Sequence, residues 1–152
     1  MMEYNKLNSP LLNEAFPYLD KSKYTVTSCP SSKYNCISWA AGDDTRIWWP
    51  NEEKYWPLPC LSNLMTPTAE HIAEAFIKTQ NYTKCDDGNF EKTFQKLAIY
   101  TKNGLFQHIA RQLENATWAS KLGRGVDIIH HTLEILEGNE YGKVTYFLKR
   151  PI

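Results

Sequence analysis

The stretch KLAIYTKNGLFQHIARQL (96–113) decides the fold that the sequence predicts. Its first seven residues alternate and are rich in β-branched and aromatic side chains, which favour a strand. Asn103-Gly104 follows as a strong hairpin signal, because both residue types accept the positive φ of a tight turn. A second strand is predicted over residues 104–113, and TWASKLG (117–123) supplies a third after another turn. The sequence therefore predicts a three-stranded antiparallel meander.

Two helices are predicted before the meander. KYNCISWAAG (33–42) is mostly small and apolar and ends at Gly42, which suits the residue that follows a helix end. A longer helix is predicted with Thr66 as its N-cap and Pro67 at its first position, running to about Thr79. Together the two segments predict a helical layer that precedes the sheet.

One further helix and one strand are predicted after the meander. Asp127 can cap a helix over DIIHHTLEIL (127–136), which Gly138 would close. YGKVTYFLKR (141–150) alternates between polar and apolar residues and predicts a last strand. The resulting order predicts an α+β fold, with N-terminal helices packed on an antiparallel sheet formed mainly by the C-terminal half.

The length of 152 residues and the hydrophobic fraction of 42% predict one domain that spans the whole chain. Residues 1–30 read as an irregular lead-in, in which YTVT (24–27) is the one strand-like run. Residues 43–67 form an aromatic-rich loop, which either packs over the core through its tryptophans or lines a substrate site; the two roles are compatible.

The charge pattern argues against a nucleic-acid or membrane-surface partner. The chain has 17 acidic and 17 basic residues and a formal net charge of zero, whereas such partners require clustered Lys and Arg. Its polar start lacks the apolar run of a signal peptide, and no stretch approaches the ~20 apolar residues that cross a bilayer. We therefore expect a cytoplasmic protein, although leaderless export would leave no mark in the sequence.

Four cysteines, at positions 29, 36, 60 and 85, are expected to be free thiols in a reducing cytoplasm. No two of them have the two- to four-residue spacing of a zinc knuckle. The sequence therefore predicts neither a metal nor another cofactor.

Cys36 and His108 are the residues best placed for chemistry. Cys36 lies in the first turn of a predicted helix, where the positive end of the helix dipole would lower the pKa of its thiol. His108 lies at the front of a predicted interior strand, a rigid place from which to hold a base. The alternatives are a small buried cysteine and a satisfied core histidine. His130 and His131 fall in the predicted late helix, and His71 lies on the earlier helix beside its apolar stripe, as a surface or boundary residue.

The segment YNCISWAAG (34–42), followed by a histidine on a strand, resembles the papain-like cysteine peptidases, most closely the NlpC-type and CHAP-type cell-wall amidases and peptidases. The resemblance implies a papain-like fold with Cys36 as nucleophile, His108 as base and a third polar residue on the neighbouring strand. Ser120, twelve positions after His108, falls at that third place, with Asp127 in reserve.

The family usually has His, Asn, Gln or an acid at the third place. It also has Asp or Gly before the cysteine and Ser-Gly after it, where this chain has Asn35 and Ile-Ser. A Y-N-C-x-x-W-A segment is shared with a group of small bacterial proteins.

The resemblance implies acyl transfer on a peptide or another amide-containing substrate. Peptidase or amidase, transglutaminase and deamidase activities all stay open, because the acceptor decides among them. The backbone N–H of Cys36 would bind the oxyanion, with Tyr34 or Asn35 as a second donor. Trp48, Trp49 and Trp56 would contact the substrate.

Two other functions remain open on the sequence. One is a non-catalytic interaction module with an aromatic binding surface, such as an immunity protein, an adaptor or a degenerate enzyme with a protein partner. The other is a binder of a small apolar ligand enclosed by the tryptophan-rich loop.

Overall fold

The computed structural model describes residues 16–19, 23–59, 66–123 and 125–152. Within these residues seven strands form one antiparallel sheet with the order β1-β6-β5-β4-β3-β7-β2. The strands are β1 Tyr24–Val26, β2 Thr83–Cys85, β3 Phe94–Lys102, β4 Leu105–Gln112, β5 Trp118–Lys121, β6 Asp127–His130 and β7 Lys143–Pro151. The helices are α1 Cys36–Ala40 and α2 Ala69–Thr79, with a 3-10 turn at Glu134–Leu136. The predicted mixture of helices with a mainly antiparallel sheet is confirmed.

The predicted meander forms the centre of the sheet as β3, β4 and β5. Asn103 and Gly104 both have positive φ, 54° and 79°, as the two-residue hairpin between β3 and β4 requires. The last predicted strand is β7, which pairs with β3 from Phe94–Pro151 to Thr101–Lys143. Strong local signals therefore decided the central strands correctly.

The helix predicted over residues 127–136 is wrong. Residues Asp127–His130 form β6, which pairs with β5 on one side and β1 on the other. Ile128 is fully buried, and β-branched residues suit such a doubly paired strand better than a helix. Within residues 127–136 only Glu134–Leu136 are helical, and they form a short 3-10 turn. Asp127 is therefore not a helix cap.

The first predicted helix is confirmed at its C-terminal end but begins at Cys36, three residues after the start of the predicted segment 33–42. Asn35 caps α1 by accepting the backbone N–H of Ser38, and the Ser38 hydroxyl accepts the Asn35 backbone N–H in return. Gly42 has φ +82° and donates to Trp39, while Asp43 donates to Ser38, which is a Schellman ending. The short helix is thereby fixed in length, with Cys36 as its first residue.

The second predicted helix ends at Thr79 as expected but begins later. Its N-cap is Thr68, whose hydroxyl accepts the N–H of His71, and not Thr66. The preceding residues are extended because they meet β4: the Pro67 carbonyl accepts the N–H of Phe106, and Thr68 bridges to Leu105. Pro67 therefore lies outside the helix.

The two edge strands of the sheet, β1 and β2, come from segments outside the predicted meander. Thr83–Cys85, inside a segment taken as a polar connector, forms the edge strand β2 beside β7. Tyr24–Val26 forms β1, in agreement with the strand-like run in the lead-in. The rest of the lead-in falls outside the described residues, apart from 16–19, 23 and 27–30, and so do residues 60–65 of the aromatic loop.

The sheet separates two layers of the core. One face carries Ile99 and Leu148 and is covered by α1 and α2 through Ile37, Ile72 and Phe76. The opposite face carries side chains that pack with the 3-10 turn and the segment before β7: Ala98, Tyr100, Ala110, Ile128, Leu136 and Tyr141. In the described part of the chain, no helix combines the length and apolar character that crossing a membrane requires.

Candidate functional site

Cys36 is the first residue of α1 and lies between the helix and the sheet. It is 9% exposed and belongs to the core layer that contains the helices. Its position is fixed by Asn35, whose side chain accepts from Ser38 at 3.0 Å and donates to the Trp48 carbonyl at 2.8 Å. The Asn35 amide is therefore engaged in holding the helix start and the aromatic loop together.

Burial raises the pKa of the Cys36 thiol to about 11. The backbone N–H groups of Ile109, Ile37 and Cys36 itself, and the charge of Lys121, oppose this shift without reversing it. The predicted lowering of the pKa is therefore wrong, because loss of hydration outweighs the field of a helix of five residues. At neutral pH the group is a thiol.

His108 lies within β4, and its side chain is 1% exposed. Its ring stacks on Tyr141, with centroids 4.3 Å apart and planes within 2°, and also contacts Tyr100. Burial, helped by the nearby His130, lowers the pKa of His108 well below its usual value, so the ring is neutral. Its Nδ1 atom is buried and has no hydrogen-bond partner among the residues that the structure describes.

A chain of buried hydrogen bonds begins at the other ring nitrogen of His108. Nε2 is 2.9 Å from the Ser120 hydroxyl, which is 2.8 Å from Nε2 of His130. Nδ1 of His130 lies 2.8 Å from the carbonyl oxygen of Thr132. We call His108, Ser120, His130 and the Thr132 carbonyl the histidine relay. Burial lowers the pKa of His130 to about 4, so this ring is also neutral.

The structure brings His108 and Ser120 together but does not join Cys36 to His108. Within the described residues, no hydrogen bond links the sulfur to the His108 ring, and the ring packs with the opposite core layer. The sulfur nevertheless faces the N–H of Ile109, the next residue of β4. The pKa of the Tyr141 phenol is raised mainly by burial and, as a second cause, by the charge that Cys36 would carry as a thiolate, so the two side chains are near each other. Cys36 and His108 thus share Tyr141 as a neighbour.

Tyr34 and the reserve residue Asp127 form a separate pair on the helix side. The Tyr34 hydroxyl donates to Asp127 Oδ2 at 2.7 Å, and burial together with this carboxylate raises the pKa of Tyr34 to about 12. Lys121, fully buried, lies over the Tyr34 ring and donates to the backbone carbonyls of Ser31 and Gly125. Asp127 makes no hydrogen bond to His108, whereas Ser120 lies 2.9 Å from its Nε2 atom.

Comparison with known proteins identifies the family but no activity. A family model described as a domain of unknown function (DUF7689) matches residues 25–149. The chain belongs to the DUF7689 family. No curated protein and no solved structure matches it. The matched segment runs from β1 into β7, so Cys36 and the histidine relay both lie within the DUF7689 domain.

The tryptophans of the aromatic loop pack inward in this DUF7689 domain. Trp48 is buried against Phe76, and its Nε1 donates to Asp43 at 2.9 Å. Trp49 and Trp56 are partly buried against the same core layer. The described part of the loop therefore covers the core as one alternative predicted, and contact of these rings with substrate stays a prediction.

His130 and Tyr141 are members of the site that sequence reasoning missed. His130 was assigned to a helix, where it would have had no reason to meet Ser120. The alternative reading of Asp-Ile-Ile-His as a buried strand would have placed it beside the meander, since two adjacent isoleucines favour β structure. Tyr141 stands in a loop between Gly138 and Gly142, and no local pattern marks it.

A surface cleft of about 400 Å³ lies away from the site. It is lined by Phe90, Phe94, Gln112, Leu113 and Ile152, together with flanking charged residues, and includes neither Cys36 nor His108. Within the described residues no group of three His, Cys, Asp or Glu side chains could hold a metal ion. The reactive groups that the site itself supplies are one thiol and two imidazoles.

Proposed function

We propose that this DUF7689 domain catalyses thiol-dependent acyl transfer on an amide bond, with Cys36 as nucleophile and His108 as base. One observation carries the proposal: His108 is held at Nε2 by Ser120, while its buried Nδ1 has no hydrogen-bond partner within the described part of the chain. A buried polar atom left unpaired is unfavourable by about 1–3 kcal/mol, so it calls for an explanation. An imidazole oriented at one nitrogen and open at the other has the form of a general base.

The arrangement of elements supports a papain-like scaffold for this reaction. The cysteine begins a helix that packs against β4 and β5, the histidine is on β4, and the third residue is on β5. Backbone pairing between β4 and β5 is confined to Arg111–Ala119 and Gln112–Trp118, so it does not extend to the level of His108. Helix α1 packs against both strands, and the Cys36 sulfur faces the N–H of Ile109, the residue after His108, which favours an approach of the sulfur to His108.

The proposed reaction starts from a neutral pair. As the Cys36 sulfur bonds to the amide carbonyl carbon, His108 Nδ1 takes the thiol proton, and the backbone N–H of Cys36 donates to the oxyanion. The C–N bond then breaks, and the leaving nitrogen takes the proton from His108. Water attacks the thioester, His108 accepts a proton from that water, and the sulfur leaves and regains the proton.

The acceptor determines the class of product. Water gives a carboxylic acid and makes the enzyme a peptidase or amidase, which is the form we propose. An amine acceptor would give transamidation, and a glutamine side chain with water would give deamidation. The burial of the sulfur favours a narrow acyl group over a bulky one.

Acylation by p-nitrophenyl acetate tests the proposal, because the acetyl group is small enough to approach a buried thiol. We expect release of nitrophenol with transient acetylation of Cys36, found by mass mapping of peptides after acid quench. Cys36→Ser should abolish acetylation at position 36, and His108→Gln should slow the acetylation of Cys36 about 100-fold, the usual effect of a lost general base. Cys85→Ser is the matched control and should leave the rate unchanged. Acetylation that spares Cys36, or that ignores His108, would overturn the proposal.

The non-catalytic interaction module is favoured by one observation, the burial of the sulfur and its raised pKa. Buried cysteines without catalytic function have this character. On that alternative the exposed Cys29 would be acetylated and Cys36 would stay unmodified, whereas the enzyme proposal expects the reverse preference.

A further inference from the structure

We propose that His130 is a positioning residue, which fixes the tautomer of His108 through the hydroxyl of Ser120. The tautomer follows from the hydrogen bonds of two buried, neutral rings, and its catalytic consequence rests on the proposed function. The sequence placed His130 outside the site. Its two ring nitrogens face Ser120 and the Thr132 carbonyl, so it acts on the proposed reaction only through Ser120.

The Thr132 carbonyl sets the direction in which hydrogen bonds are donated along the relay. A carbonyl oxygen can only accept, so Nδ1 of His130, at 2.8 Å, must carry a hydrogen. The ring is neutral at pH 7, because burial lowers the pKa of His130 to about 4. A neutral imidazole has one N–H, so Nε2 of His130 is a bare acceptor.

Ser120 transmits this direction to the next strand. It has one hydroxyl hydrogen, which must point to Nε2 of His130 for the 2.8 Å bond to exist. Its oxygen can then only accept at the 2.9 Å contact, so Nε2 of His108 carries the hydrogen. The single hydrogen of the neutral His108 ring is thereby used, and Nδ1 is left as a lone pair.

The lone pair on Nδ1 is the form that a base requires. Both rings are buried, and among the described residues neither forms a hydrogen bond to a carboxylate. The relay therefore fixes which ring nitrogens carry hydrogens without placing a charged group beside them. It also tolerates protonation of His108, because Nε2 keeps its hydrogen and Ser120 keeps accepting it when Nδ1 gains a proton.

Nitrogen NMR of the histidine rings tests the inference without any activity. In protein labelled with ¹⁵N-histidine at pH 7.5, we expect opposite tautomers: Nε2–H for His108 and Nδ1–H for His130. Spectra of His71→Gln and His131→Gln, both at exposed positions, assign the remaining signals. His108 found as the Nδ1–H tautomer in the wild type would overturn the inference.

Two substitutions of His130 separate positioning from mere packing. His130→Phe fills the space but accepts nothing, so the Ser120 hydroxyl can turn to His108, and a substantial Nδ1–H fraction should appear on that ring. His130→Gln supplies a carbonyl to accept from Ser120 and an amide to donate to Thr132, so the wild-type tautomer should return. An unchanged His108 tautomer in a folded His130→Phe protein would refute the role. Should that variant not fold, Ser120→Ala, which removes the bond to His108, must give mixed tautomers.

The acylation assay joins the inference to the proposed function. With p-nitrophenyl acetate, His130→Phe should acetylate Cys36 about tenfold more slowly than wild type, and His130→Gln should recover most of the rate. The expected tautomers with no acetylation of Cys36 would overturn the enzyme and leave the relay intact. Acetylation that proceeds with His108 in the other tautomer would overturn the relay and leave the enzyme intact.

Discussion

Replacing His130 by glutamine should make the protein less sensitive to acid. In the folded state burial lowers the pKa of His130 to about 4, whereas an unfolded chain keeps an ordinary histidine. Between these two values the unfolded state binds more protons than the folded state, so stability falls as the pH falls. The contribution is fully present above about pH 6.5, the ordinary histidine pKa, and is lost progressively toward pH 4. Glutamine does not titrate and removes this term.

The size of the effect follows from the shift. One pKa unit corresponds to about 1.4 kcal/mol, so a fall from about 6.5 to about 4 corresponds to ~3 kcal/mol in full. Integrating the proton uptake gives about 2 kcal/mol lost by pH 5 and about 3 kcal/mol lost by pH 4. His108 titrates in the same direction in both proteins, so most of its contribution cancels in the comparison.

Urea unfolding of wild type and His130→Gln at pH 7, 6, 5 and 4 measures this difference. The wild type should lose about 2 kcal/mol more than the variant between pH 7 and pH 5. His131→Gln is the matched control, because it removes the exposed neighbouring histidine, whose charge is the smallest of the causes of the His130 pKa shift, so most of the wild-type pH dependence should remain. Parallel stability curves for wild type and His130→Gln would show that His130 is not a buried neutral ring.

Three further changes test the packing that holds the site. Gly142→Ala should lower the free energy of unfolding by at least about 2 kcal/mol more than Gly42→Ala does. Both glycines have positive φ, but only at Gly142 would an added Cβ lie 2.0 Å from the Thr101 carbonyl oxygen. Equal urea midpoints would contradict this. Trp118→Ala should lower the free energy of unfolding by about 3–5 kcal/mol, because the side chain is buried beside the relay. Ser120→Ala should lower the free energy of unfolding by about 2–4 kcal/mol, because it leaves two ring nitrogens unpaired. A change below about 1 kcal/mol would show that Ser120 does not form both hydrogen bonds of the relay.

The centre of the sheet could be predicted because its signals are local. Asn103-Gly104 specifies a hairpin by backbone conformation alone, and Gly42 marks a helix end in the same way. Residues 127–136 lacked such a signal. Their isoleucines and leucines suit a helix face as well as a strand, and pairing of Asp127–His130 with β1 and β5, a tertiary effect, decided between the two. The edge strand at Thr83–Cys85 is short and polar, so only its partner β7 makes it a strand.

The candidate site divides in the same way. Ser120 could be predicted as the partner of His108 only through the family resemblance, because the register of β4 and β5, Arg111–Ala119 and Gln112–Trp118, does not by itself set the two residues opposite each other. His130 could not, since it reaches Ser120 only through β6, which the sequence assigned to a helix. The pKa of Cys36 depends on how much of the chain covers it, and a helix position alone gave the wrong sign.

A resting site of neutral groups limits how the proposed reaction can proceed. Burial raises the Cys36 pKa to about 11 and lowers that of His108 well below its usual value. Moving the proton from sulfur to imidazole is therefore unfavourable, because both shifts stabilise the neutral form of the group concerned. A stored thiolate–imidazolium pair is thus unfavourable, and proton transfer must accompany attack on the carbonyl. Under that requirement a relay that only directs His108 is sufficient, because the lone pair on Nδ1 has to be in place before the sulfur moves.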